Sequence, residues 1–141
     1  MKGFTLSEML LVVTIIIILS LIGTPLFSRL IMQTSVTRTA EQIVATMRKA
    51  QSYAMSDKQN SNWGVTYTGG NMVLFSGTTY ATRTAAFDET TALNPNIAIT
   101  GFTETVFLKP TGNVAAPVTI NLTEPERSET ITVNTQGVVS R

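Results

Sequence analysis

Glu8 is the residue near the start of this chain whose charge demands a chemical explanation. It stands at the head of a run from Met9 to Ser28 in which no residue is charged. An ionised group beside hydrocarbon is expensive unless it is paired, so a carboxylate here calls for a cation. Just upstream lie Met1-Lys2-Gly3 and then Phe4-Thr5-Leu6-Ser7. Other chemistry-bearing residue types are scarce. The 141 residues include no histidine and no cysteine. That removes the usual acid–base group, the commonest metal ligand, disulfides and thiol metal sites. Ser and Thr are plentiful, but no histidine can activate them, and an enzyme is not expected. Asp88-Glu89 and the group Glu124, Glu126 and Glu129 fall in loop and turn sequence and match no EF-hand spacing. They read as solvated carboxylates, with neither metal nor cofactor expected. Asn121-Leu122-Thr123 has the form of a glycosylation acceptor, but it sits inside strand-like sequence.

The element that must position Glu8 is the uncharged run itself. As an α-helix its twenty residues would extend about 30 Å, the apolar thickness of a bilayer. Three readings compete. A plain anchor explains the length and Lys2, since positive charge favours the cytoplasmic side. It leaves Glu8 without a role. A secretory signal peptide would have a shorter apolar core and a better cleavage site than Gly23-Thr24-Pro25. The third reading cuts the chain before the apolar run, placing a new α-amine near Glu8 and keeping the hydrophobic segment.

Lys2-Gly3-Phe4-Thr5-Leu6-Ser7-Glu8 followed by Met9-Leu10-Leu11-Val12-Val13 resembles the class III signal of type IV pilins and type II secretion pseudopilins. The resemblance implies removal of residues 1–3 by a prepilin peptidase that also N-methylates the new terminus. Gly3 would precede the cut, Phe4 would become the methylated first residue, and Glu8 would be the filament-assembly glutamate. It further implies a single-pass protein of the bacterial inner membrane with its C-terminal domain outside the cytoplasm. Its partners would be the lipid bilayer, an inner-membrane assembly platform and then other pilin or pseudopilin subunits in a filament.

The chemistry agrees with that implication. An α-amine with a reference pKa of about 7.7 is largely protonated at neutral pH. Pairing it with Glu8 of a neighbouring subunit lets both charges enter a low-dielectric bundle, where either alone would be costly. The pair would set register, and apolar packing would supply the affinity. Pro25 lacks an amide hydrogen and Gly23 lowers helix propensity in the same turn, so residues 4–28 should form a kinked membrane-spanning and filament-core helix.

Residues 29–59 read as an amphipathic continuation. Met32, Val36, Ala40, Ile43, Met47, Ala50 and Ala54 recur at helical spacing, while Arg29, Arg38, Glu41, Arg48, Lys49 and Asp57 fall outside that stripe. The small alanines suit packing on a sheet, with Val36, Ala40, Ile43 and Met47 making the contact. Helix is expected to about Lys58, closed by Asn60-Ser61-Asn62.

Residues 60–141 change to a period of two. Trp63–Thr68 and Asn71–Ser76 flank Gly69-Gly70 as a hairpin. Asn96–Thr100 and Thr105–Leu108 read as strands, the latter stopped by turn sequence at 109–113. Val118–Thr123 and Glu129–Asn134 alternate around a turn at 124–127, and each strand of the domain is expected to have one buried and one wet face. The stretch 78–95 reads as a long loop with a short strand or helical turn. The fold class is therefore α+β, a long N-terminal helix on antiparallel sheet, with too few residues beyond the helix for a core without it.

Val106-Phe107, Pro110 and Gly112, the 118–123 strand, Ile131-Thr132-Val133 and Gly137-Val138-Val139 resemble the GspH/FimT-like branch of minor (pseudo)pilins. This narrows the implied role to a structural minor subunit near a filament tip. Lack of cysteine departs from the many pilins with a disulfide-clamped C-terminal loop. A major pilin and a membrane-anchored binding module outside any filament are the alternatives. A DNA-binding minor pilin is another, but a nucleic-acid partner would want clustered cations. Beyond Lys58 only Arg83, Lys109, Arg127 and Arg141 are basic, and they are scattered.

Overall fold

The computed structural model describes residues 3–125 and 127–141, without the side chains of 21–33. It divides into two compact units, Met1–Thr34 and Ser35–Arg141. The first is helical from Leu6 onward, within a helix α1 assigned over Leu6–Met55. Its described aliphatic side chains, from Leu6 to Leu19, are exposed. The expected kink at Gly23 and Pro25 concerns positions whose side chains lie outside the described residues, although helix is assigned through them.

In the second unit the same helix gains a buried stripe. Val36, Ala40, Ile43, Met47, Ala50 and Ala54 are wholly buried, while Arg38, Glu41, Arg48, Lys49 and Asp57 face water. Helix stops at Met55, slightly before the expected Lys58. The cause is local: Asp57, Gln59 and Asn60 adopt φ of 50°, 61° and 52°, a left-handed run that Asn and Asp tolerate best and that cannot continue an α-helix.

Two antiparallel sheets complete this unit. The strands are β1 Trp63–Thr68, β2 Asn71–Ser76, β3 Glu89–Ala92, β4 Ala98–Thr100, β5 Glu104–Leu108, β6 Asn113–Val114, β7 Val118–Glu124, β8 Arg127–Val133 and β9 Val139–Ser140. One sheet has the order β3-β2-β1-β5-β6, the other β4-β7-β8-β9. Gly69 (φ 57°) and Gly70 (φ 79°) form the tight β1–β2 turn, whose two positive φ values match the twist of a hairpin. A single apolar cluster joins the helix stripe to Trp63, Leu74 and Phe107 of the first sheet and Ile120, Ile131 and Val139 of the second.

Several expectations are corrected. The stretch 78–95 holds both a 3₁₀ turn, Ala85–Phe87, and the edge strand β3. The expected stop at 109–113 leads straight into β6, which returns against β5. The strand near 96–100 is shorter, Ala98–Thr100. One wet face per strand holds for β7 and fails for β1 and β2. Trp63 to Thr66 and Met72 to Ser76 are buried without alternation, because the segment after β2 folds back over the outer face. There the Phe75 ring meets Tyr80 edge-on at 5.6 Å.

Gly64 makes that covering feasible. It pairs with Phe75 across β1–β2, and a Cβ at Gly64 would lie 2.8 Å from Phe75 Cε1 and 2.9 Å from Cε2. Gly64→Ala is therefore expected to lower unfolding stability by about 1–3 kcal/mol, as overpacking does. Urea unfolding would read the shift in midpoint at unchanged slope.

Candidate functional site

Thr5 and Glu8 form a reciprocal cap at the start of α1. Thr5 N and Thr5 Oγ1 donate to Glu8 Oε2 at 2.8 and 2.9 Å, and Glu8 N donates to Thr5 Oγ1 at 3.3 Å. The first α-helical bond, Met9 N to Thr5 O, is 3.2 Å. This is a capping box, in which a Thr and a Glu three residues later satisfy each other's free amides. The signal Thr5-x-x-Glu8 is present in the sequence. Glu8 has a task within its own chain. Its Oε1 makes no hydrogen bond among the described residues, so the cap uses only half the carboxylate.

Gly3 and Phe4 lie outside the helix, and Phe4 is 83 % exposed. Within the apolar run, Thr14 Oγ1 donates to Leu10 O at 2.7 Å and Ser20 Oγ to Ile16 O at 2.8 Å. Both hydroxyls thus turn back on the helix's own carbonyls. Among the described residues no helix is long and apolar enough to cross a membrane. The expected span continues through 21–28, whose side chains lie outside them.

The four residues expected at the helix–sheet contact, Val36, Ala40, Ile43 and Met47, all sit in the core cluster. Polar ties flank them. The Lys49 ammonium pairs with Glu89 of β3, Tyr53 Oη reaches the other Glu89 oxygen at 3.3 Å, and Arg48 donates to Val139 O at 3.3 Å. Lys49 holds the Glu89 carboxyl below the usual carboxylate range, and Glu89 in turn raises the Lys49 ammonium. Below Tyr53, Lys58 Nζ stands 3.4 Å from the ring centroid, and Trp63 meets the same ring edge-on at 4.8 Å. No helical or strand period marks this aromatic–cation stack, so sequence reading missed it.

The scattered cations are mostly engaged. Arg83 Nε binds Asp88 at 2.6 Å, and its guanidinium lies 3.7 Å over the Tyr80 ring. Lys109 Nζ donates to Asn60 O at 2.8 Å and lies 3.6 Å from Asp57. Arg141 pairs with Glu129 and, at 3.4 Å, with Glu41. Three of the four basic side chains beyond Lys58 are thus held by acceptors of the same chain. Glu89 and Glu129 are partners in ion pairs, and Glu124 accepts from Ser35 Oγ at 3.3 Å.

Residues 39–137 match the family described as type II transport protein GspH. No curated protein matches the chain. Among solved structures, the minor pseudopilin EpsH from the Type 2 Secretion System of Vibrio cholerae is similar, with a TM-score of 0.56 and 13 % identity. The alignment covers 75 % of this chain and 94 % of that one. At such identity the likeness concerns fold: helix on antiparallel sheets.

Proposed function

The chain belongs to the GspH family of type II transport proteins, and from that premise we propose that it is a structural minor subunit of a type II secretion pseudopilus, assembled near the filament tip. The observation that carries this reading is the family match over residues 39–137, and the sequence from Lys2 to Val13, which resembles a processing and assembly signal, lies wholly outside it. Gly3-Phe4 and Glu8 add no weight to that match and derive none from it. The role is structural; binding and packing, not bond-making, are its chemistry.

In this reading residues 1–3 form the leader, 4–28 the membrane and filament-core segment, 29–59 the amphipathic helix half, and 60–141 the globular domain outside the cytoplasm. Ile15 to Ile18 are β-branched and poor helix formers in water. In lipid, backbone groups have no partner but the helix itself, which favours helix regardless of propensity. The inward-turned hydroxyls of Thr14 and Ser20 suit the same environment. Before assembly the bilayer would be the solvent of residues 4–28, and afterwards neighbouring subunits would replace it. The peptidase and the assembly platform would meet the N-terminal segment, and subunit contacts would follow through Phe4 and Glu8.

Processing gives the direct test. Intact mass of the membrane-extracted protein is expected to show loss of Met1–Gly3 plus one methyl group on Phe4. A mass that retains Lys2 would support a plain anchor instead, and a product beginning near Thr24 would support a conventional signal peptide.

A further inference from the structure

An apolar cleft of about 430 Å³ opens beside β5, within the span of volumes typical of ligand sites, about 300–1,000 Å³. Val106 and Leu108 form one wall, and Ala115, Ala116 and Val118 form the other. Leu108 is 42 % exposed, unusual for a leucine within a strand of this core. The one charged residue lining the cleft is Glu104.

Strand pairing is incomplete on this edge. β1 pairs with β5 from Glu104 to Phe107, whereas β6 meets it only at Phe107 and Leu108. Among the described residues, Glu104, Thr105 and Val106 therefore have no strand partner on the side opposite β1. Thr105 also lines the cleft and is 5 % exposed, and its Oγ1 has no hydrogen-bond partner among the described residues.

We propose that this cleft receives an extended segment of another polypeptide, which adds to β5 as a strand and places a basic side chain against Glu104. Main-chain bonds to the open edge would give affinity, and alternate side chains would enter the apolar walls. Charge selects the occupant. A second copy of this chain pairing edge to edge would bring its own Glu104 to the same edge, and like charges across an antiparallel pair are destabilising. The inference stands whether or not the chain enters a filament.

The probe is a synthetic seven-residue peptide alternating Val and Thr, with Lys at its centre. Binding to the full chain in detergent is read by fluorescence polarisation, and amide hydrogen exchange is read at Glu104 and Val106. Saturating peptide is expected to slow exchange at those amides. Replacing the central Lys by Glu should weaken binding about tenfold, and Glu104→Lys should reverse that preference. Leu108→Ser, at an exposed position, should also weaken binding while the circular dichroism stays unchanged. Absence of binding, or equal binding of both peptides to wild type, overturns the proposal. So does exchange that slows with protein concentration alone, which would make a second copy the occupant.

Discussion

Met47→Asp is expected to lower the melting temperature of the globular unit far more than Arg48→Asp does. The two positions are adjacent, so helix propensity and chain location are shared. Their surroundings differ. Met47 is wholly buried in the cluster that joins α1 to both sheets, and an aspartate there would have no cation within the apolar stripe. An uncompensated buried charge costs about 3–5 kcal/mol, against a total of about 5–15 kcal/mol for a typical domain. Arg48 faces water and loses only its bond to Val139 O, worth about 1 kcal/mol. Thermal unfolding of the membrane-extracted variants should separate their melting temperatures by more than about 10 °C. Equal values would mean that the stripe does not carry the fold.

Glu8→Ala and Glu8→Gln are expected to insert into membranes as wild type does and to be lost from filaments. Insertion should improve if anything, since each change removes a charge next to the apolar run. The pair of substitutions is needed because Glu8 has two tasks. Within its own chain it accepts from Thr5 N and Thr5 Oγ1. Alanine removes these two bonds and leaves the residue-8 amide donating to Thr5 Oγ1, so half of the capping box remains. Glutamine keeps an acceptor oxygen for Thr5 but cannot neutralise an α-amine. If both variants are excluded, charge pairing with Phe4 of a neighbour is what assembly needs. Incorporation of the glutamine variant alone would make Glu8 a helix cap and nothing more. Quantitative mass spectrometry of filament fractions would read the difference.

Much of the fold was legible from period. The stripe from Val36 to Ala54 and the alternation from Val118 to Val133 each have one apolar face, and each landed in the core. The β1–β2 hairpin was legible because Gly69-Gly70 can take positive φ at both turn positions. What period could not carry was the second layer over β2. Phe75 shares the Asn71 and Val73 side of its strand, and the return of the chain through Tyr80 covers it. Edge strand β6 was hidden for a related reason, and β3 was legible only as a short strand without bounds within 78–95. With two residues and four, they are too short for alternation to rise above chance, and their partners decide them. At the candidate site Gly3, Phe4 and Glu8 are named by resemblance alone. The Thr5 cap was legible through local chemistry and was overlooked.

Filament composition tests the central claim most directly. Pseudopili sheared from cells and purified should contain this chain, beginning at methylated Phe4, at a small and constant ratio to the major subunit. Its absence from filaments, with the chain recovered intact in the membrane fraction, would contradict the account.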